Sequence, residues 1–412
     1  MRLRGVSPVF WAAVVLAAVL ALAVAGCGGG GDSTGSSEPA ESSGSESASN
    51  EGGEAGEGGS APSGGFDLAT WEKKTEEYEE GPTEYFGPTE PVHVPPNKKL
   101  AWIPCSAVIR GCVRPVEAAG EVAEELGWTV KSYDGKGTPN GNNAAIEQAV
   151  AGGAEVILTG GVDPHFIASG LKAAKEKDVL VASMSQGAKP EPNGYPFDIG
   201  ANYHELGEMI GSYVISDSGG KAVYQPFDDK SFESTVQFVE ASEHTVEDEC
   251  PECEVLPTQF FVGTQIETTL GPRVVSLLRS NPDINYLQGS YDPAAAGMVP
   301  AIANAGLKEQ VKLVGGLGNE QNLQYVKEGN IQTADAGFDN LYMGYMAIYQ
   351  VSRLLNGEKL WETPGVSEPE YKFSGKVPEK LFTSNNTDFD TGDYVADETV
   401  HYIAKFEHLL EH

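Results

Sequence analysis

Ile146-Glu147-Gln148-Ala149-Val150-Ala151-Gly152-Gly153-Ala154-Glu155-Val156-Ile157 decides how the chain folds. Ile146, Ala149 and Val150 recur at helical spacing, and Gly153 marks the end of that helix. The apolar run over 155–159 then reads as a buried strand, closed by Gly160 and Gly161. A helix followed at once by a buried strand is half of a βαβ unit, so neighbouring strands should be parallel.

The same alternation runs outward in both directions. Before this stretch, strands are predicted over 100–104 and 129–133, with Val116, Ala119, Ala123 and Leu126 on one helical face between them. After it come a helix over 165–177, a strand over 179–183 and a further strand over 197–201. The pattern then restarts with Leu206, Met209, Ile210, Tyr213 and Val214 on a helix. Strands follow over 221–225, 255–261, 284–288, 312–315 and 331–336, with a helix over 231–246. Thr264-Gln265-Ile266-Glu267 opens a helix with a capping-box pattern. Asp292-Pro293 opens another, as N-cap and first helical residue, and Gly306 closes it. A helix over 319–327 ends at Gly329, and Asp339 caps a long helix ended by Gly357. The expected fold class is α/β, with two doubly wound parallel-sheet lobes, because so many units overfill one sheet. Ligands of such sheets bind beyond the carboxyl ends of the strands.

The chain begins differently. Arg2 and Arg4 precede an apolar run over 9–24, then Leu22-Ala23-Val24-Ala25-Gly26-Cys27, which reads as a secretory signal over 1–26. The segment resembles a bacterial lipoprotein lipobox, which implies lipidation of Cys27 and a membrane anchor outside the cytoplasm. The run is short for a membrane span, and glycines follow it directly. From 27 to 96 the Gly, Ser and Glu composition predicts a disordered tether with an r.m.s. span of roughly 45 Å. Residues 73–80 allow a short helical turn, but the prolines up to Pro96 favour a linker. The remainder, about 315 residues, suits two domains. A formal net charge of −33 argues against nucleic acid as a partner, since phosphate binding needs a basic surface.

Beyond Cys27 there are four cysteines. Cys105 and Cys112 are close in sequence, as are Cys250 and Cys253. In an exported chain they suggest two disulfides, with local pairing preferred among three connectivities. A zinc site is the alternative, but Cys250-Pro251-Glu252-Cys253 needs a second pair and no histidine lies at ligand spacing. No metal and no cofactor is expected.

In this order and spacing the chain resembles a type I periplasmic solute-binding protein, close to the ribose and galactose binders. The carriers are Glu117-Ala118-Ala119, Glu125-Leu126-Gly127-Trp128, the 146–157 stretch, Leu171-Lys172-Ala173-Ala174, Tyr291-Asp292-Pro293-Ala294-Ala295-Ala296-Gly297, Asn304-Ala305-Gly306 and Gly344. The resemblance implies two lobes joined by three crossings, near 201–202, near 337–338 and after Leu360. The first lobe would comprise 97–202 and 338–362, the second 203–337 and 363–412 with the tail. It implies a monomer that closes on a small-molecule ligand, a sugar or related polar solute, and delivers it to the transmembrane permease subunits of an ABC importer without chemistry.

Carried onto these residues, the first lobe offers Ser106, Ile109, Arg110, Ser185 and Gln186. The second offers Asp228, Phe232, Tyr291, Asp292 and Asn319, with Phe338 beside a hinge. Asp292 and Asp339 also read as helix caps, Asp228 as a turn residue, and Phe232 and Tyr291 as core aromatics. Arg110 is the basic residue of this ring and the anchor for any anionic ligand. The chain departs from the sugar binders in two places. Ser183-Met184-Ser185-Gln186 stands where they carry an Asp-Arg pair, and 105–112 lacks their aromatic pair. Two rivals stand beside this reading. One is a tethered sensor that presents solute to a signalling receptor. The other is an exported thiol enzyme with Cys105 as nucleophile and His165 or His204 as base, which no motif supports and a disulfide would disarm.

Overall fold

A computed structural model of the chain describes residues 66–390, 392, 394 and 400–411. The expected signal peptide, Cys27 and most of the Gly/Ser/Glu segment lie outside the described residues. Among those described, no helix is long and apolar enough to cross a membrane.

The chain enters through helix α1 (Leu68–Glu80) and the short strand β1 (Val92–His93), then builds a parallel α/β sheet. Its elements are β2 (Lys99–Pro104), α2 (Arg110–Glu125), β3 (Thr129–Ser132), α3 (Pro139–Ala151), β4 (Val156–Gly160), α4 (Ala168–Lys175), β5 (Leu180–Met184) and β6 (Asp198–Ile199). The strands order as β3-β2-β4-β5-β6, all parallel. The helix–glycine–strand reading of 146–157 is borne out as α3 followed by β4, whose five residues are all buried.

After 200–202 the chain passes to a second sheet. Its elements are α5 (Tyr203–Asp217), β7 (Val223–Asp228), α6 (Glu233–Glu249), β8 (Glu254–Val255), β9 (Gln259–Phe260), α7 (Gly271–Ser280), β10 (Tyr286–Gly289), α8 (Asp292–Asn304), β11 (Lys312–Leu317), α9 (Glu320–Glu328) and β12 (Gln332–Phe338). Helix α10 (Asn340–Leu355) returns to pack on α2, and β13 (Glu379–Thr383) rejoins the second sheet antiparallel to β12. The order is β13-β12-β11-β10-β7-β8, with β9 also on β7. The chain therefore passes between the sheets after β6, after β12 and between α10 and β13. Gly344 lets α10 approach closely, since a Cβ there would sit 2.7 Å from the Ala118 carbonyl carbon.

Several local expectations change. The strand over 255–261 is two short pieces, β8 and β9, each pairing with a different end of β7. The capping box at Thr264 does not form. Gln265 Oε1 instead accepts the Val262 N–H at 3.1 Å, ahead of a short 3-10 turn and one π turn over 266–270. Tyr291, not Asp292, is the N-cap of α8.

The tether does not extend to residue 96 as expected. Helix α1 packs against α5 and β13, with Thr75 buried and Glu79 Oε1 accepting the Thr383 hydroxyl at 2.6 Å. The following segment lies on the other lobe: Trp128 Nε1 donates to the Pro95 carbonyl at 2.9 Å, and Tyr349 Oη to that of Glu90 at 2.9 Å. Nor does the tail stay with the second lobe. Helix α11 (Tyr402–Glu407) packs on α10, and β14 (Leu410–Glu411) pairs with β1. The Tyr85 ring lies 5.3 Å from that of Tyr402, which in turn lies 5.3 Å from Tyr342 of α10. The arm thus fastens to both lobes.

Candidate functional site

Both sheets point their carboxyl ends at one cleft. In the first lobe, strand order reverses between β2 and β4, and the loop after β2 turns into α2 there. A disulfide joins Cys105 in this loop to Cys112 in the first turn of α2. The second disulfide joins Cys250 to Cys253 at the end of α6, so pairing is local in both cases and the zinc alternative falls. Among the described residues every cysteine is bonded, so none is a free nucleophile.

After β5 the backbone takes left-handed geometry at Ser185 and Gly187, with φ of +57° and +73°. Buried Asp198 holds this loop, accepting the N–H of Gly187 at 3.0 Å and that of Gln186 at 3.4 Å. Burial pushes the Asp198 carboxyl up to about 6, against those stabilising hydrogen bonds.

In the second lobe the reversal falls between β7 and β10. Asp229 follows β7, accepting the Ser231 N–H at 3.1 Å and the Tyr291 hydroxyl at 2.9 Å. Burial first, then the Asp229 charge, raises the Tyr291 hydroxyl above its ordinary range. The Phe232 ring stands edge-on to Tyr291, with centroids 5.9 Å apart and an angle of 85°. Loop 317–319 is held from beneath by two carboxylates. Asp335 Oδ1 accepts from Gly318 N–H at 2.9 Å, and Asp292 Oδ2 from Asn319 N–H at 2.7 Å.

These loops enclose a narrow inner cavity that opens at its mouth. Ile109, Cys112, Gly161 and Ser185 reach it from one lobe, and Tyr203, Leu206, Phe232, Phe238, Ser290, Tyr291 and Leu317 from the other. Among the described residues that line it, none is charged. The hydroxyl of Ser290 is buried without a hydrogen-bond partner, and those of Ser185 and Tyr203, which face each other, have no other partner. The lobes touch at its edge, where the Ser234 N–H donates to the Gln186 carbonyl at 3.1 Å. Ile109 also borders a wider outer cleft of about 1730 Å³, with Arg110, Thr264, Glu267, Asn319 and Glu320 on its walls.

Of the residues singled out from the sequence, Ile109, Ser185, Phe232 and Tyr291 meet in the inner cavity. Arg110 and Asn319 face the outer cleft instead. The Arg110 guanidinium lies 2.7 Å from Glu117 Oε2 on its own helix, so it is no inner anchor. Ser106 is buried in the turn before α2, its carbonyl accepting the Ile109 N–H at 3.2 Å. Gln186 and Asp228 are buried beside the cavity, and Gln186 Oε1 and Asp228 Oδ1 lack partners. Burial, reinforced by neighbouring Asp229, pushes Asp228 up to about 6. Asp292 is spent beneath loop 317–319. Phe338 stands behind the wall, edge-on to Tyr203 at 6.1 Å. Tyr203, Leu206, Phe238, Ser290 and Leu317 were not anticipated as lining residues. The first two sit on a helical face that reads as core, whereas Gly315-Gly316-Leu317-Gly318 after a strand was the available signal for the last.

Residues 101–359 match the family model described as periplasmic binding protein domain. A ribose import binding protein from Haemophilus influenzae is 23% identical over 246 residues, 59% of this chain and 81% of the relative. Among solved structures, an ABC transporter solute binding protein from Mycobacterium smegmatis with bound glycerol superposes with a TM-score of 0.60 at 18% identity. That likeness covers 73% of this chain and 100% of the other. The Caulobacter myo-inositol binding protein gives 0.59 at 18% identity, over 70% of this chain and 94% of its own. At such identities these structures share the fold.

Proposed function

The chain belongs to the periplasmic binding protein family in its type I form, and from that premise we propose that it captures a small solute between its lobes and hands it to the permease subunits of an ABC importer. It is a binding protein and not an enzyme. The solute is a sugar or related polyol, as the names of its relatives indicate for them. The observation that carries the reading is the inner cavity, walled by both lobes at the carboxyl ends of both sheets, with buried hydroxyls from each. Contacts made from two lobes exist together only when the lobes are closed, so solute shifts the hinge equilibrium by its differential affinity. The protein acts as a monomer outside the cytoplasm, anchored through lipid on Cys27.

Thermal melting of the purified chain across sugars, polyols, amino acids and nucleosides tests the reading. A solute at one hundred times its Kd adds about 2.7 kcal/mol of stability. Loss of solute uptake on deletion supports transport, whereas intact uptake with lost signalling supports the sensor alternative. Cys27→Ala tests the anchor: the protein leaves the membrane fraction, and retention there contradicts lipidation.

A further inference from the structure

The wall of the inner cavity narrows the class of solute, and this step rests on the solute-capture reading above. Ile109 from one lobe and Leu206, Phe238 and Leu317 from the other present aliphatic and aromatic surface, and the Phe232 ring closes the side. The hydrogen-bonding capacity left on this wall is that of three buried hydroxyls, Ser290, which has no partner, and Ser185 and Tyr203, which have only each other. Tyr291 has already committed its hydroxyl to Asp229. Arg110, the cation nearest in sequence, lines the outer cleft and is bonded to Glu117.

Two classes of solute fare badly against this wall. An anion or cation entering it loses water with no counter-charge among the lining residues, which weakens its binding. A fully hydroxylated ring turns some hydroxyls onto Ile109, Leu206, Phe238 or Leu317, where each unmet group weakens binding by about tenfold or more. A methyl or ring CH at the same place is stabilised by burial. We propose that the cavity selects an uncharged ring compound with one apolar face, carrying only as many polar groups as the three hydroxyls can meet. Deoxy sugars and cyclic alcohols share this chemistry.

Titration calorimetry on the full chain tests the inference with matched probes. D-galactose, its deoxy form D-fucose and its acid D-galacturonate form one set; L-mannose and its deoxy form L-rhamnose, with cyclohexanediol and benzyl alcohol as non-sugar rings, form another. A deoxy sugar or cyclic alcohol binds at least about tenfold more tightly than the fully hydroxylated hexoses, and galacturonate gives no heat, in the outcome expected from one unmet hydroxyl. Deoxy sugars alone, or cyclic alcohols alone, identify the source within the shared chemistry. Equal or tighter binding of a hexose, or any binding of the acid, overturns the inference while leaving solute capture intact. If no probe of any class binds or raises the melting temperature, solute capture fails and the inference falls with it. Leu317→Ser supplies a second readout: the preference for the deoxy form over its parent narrows, with melting temperature reporting that the variant is folded, and an unchanged ratio contradicts the assignment of the wall.

Discussion

Asp292 and Asp335 lie buried together beneath one loop of the cleft, each holding one of two successive backbone N–H groups, Asn319 at 2.7 Å and Gly318 at 2.9 Å. Gln332 Nε2 donates to the outer oxygen of Asp335 at 2.9 Å. Burial raises both carboxyls above their ordinary range, and the Asp335 charge raises Asp292 further. The other lobe uses the same device with one residue, since Asp198 holds the loop at 186–187.

This arrangement fixes the sign of a pH dependence. A carboxyl raised in the folded state favours folding while protonated. Its contribution is fully present below the ordinary 3.8 of an aspartate and is lost as pH rises through about 6 for Asp198. Urea unfolding is expected to show stability falling by on the order of 1–3 kcal/mol between pH 4 and pH 7 from Asp198. Asp198→Asn flattens that part of the slope. A stability that rises across the window contradicts the assignment.

Phe232 is half-buried and meets the cavity with its edge on Tyr291. Phe232→Ala should weaken solute binding at least about tenfold, in line with loss of an aromatic contact. Melting temperature should move little, because the ring is not in the sealed core. Calorimetry and thermal melting on the same sample separate the two effects.

The first disulfide spans a separation of 7 residues at the rim of the cavity. Cys105→Ser with Cys112→Ser should cost about 2 kcal/mol in urea unfolding, the scale expected for closing so short a loop. Solute affinity should fall as well, because the same loop positions Ile109. An unchanged affinity would mean that Ile109 is held by other contacts.

The arm over 66–96 lies outside the matched region of 101–359, yet it is fastened to both lobes. Tyr85→Ala removes a ring that lies tilted against Tyr402 and edge-on to Phe406 and should cost about 2–3 kcal/mol. The solute preference should be unchanged, since Tyr85 lies away from the cavity. A changed preference in calorimetry contradicts a purely fastening role.

The alternation of helix and strand was legible because β4 and its neighbours are buried on both faces and read as continuous apolar runs. The count of units gave two lobes, whereas the three crossings were implied only by the resemblance to the type I solute binders. Helix α1 was obscured because its buried stripe is only Thr75, flanked by the partly buried Trp71 and Tyr78, in a segment of Glu and Lys. Only the presence of α5 makes that stripe visible. Arg110 misled because its partner, Glu117, is two turns along the helix and a sequence shows no rotamer. Leu206 and Phe238 have the spacing of core residues, and spacing does not say whether a helical face meets a sheet or a cavity. Asp198 sits on the edge strand β6 and Asp335 on the inner strand β12, where local pattern gives a lone acid no assigned partner.

Small-angle X-ray scattering of the full chain, with and without a solute that raises its melting temperature, tests hinged capture most directly. The account requires the radius of gyration to fall on addition of solute as the lobes close over the cavity between Ile109 and Leu317. Superimposable curves at saturating solute, with binding verified in the same sample, would contradict it.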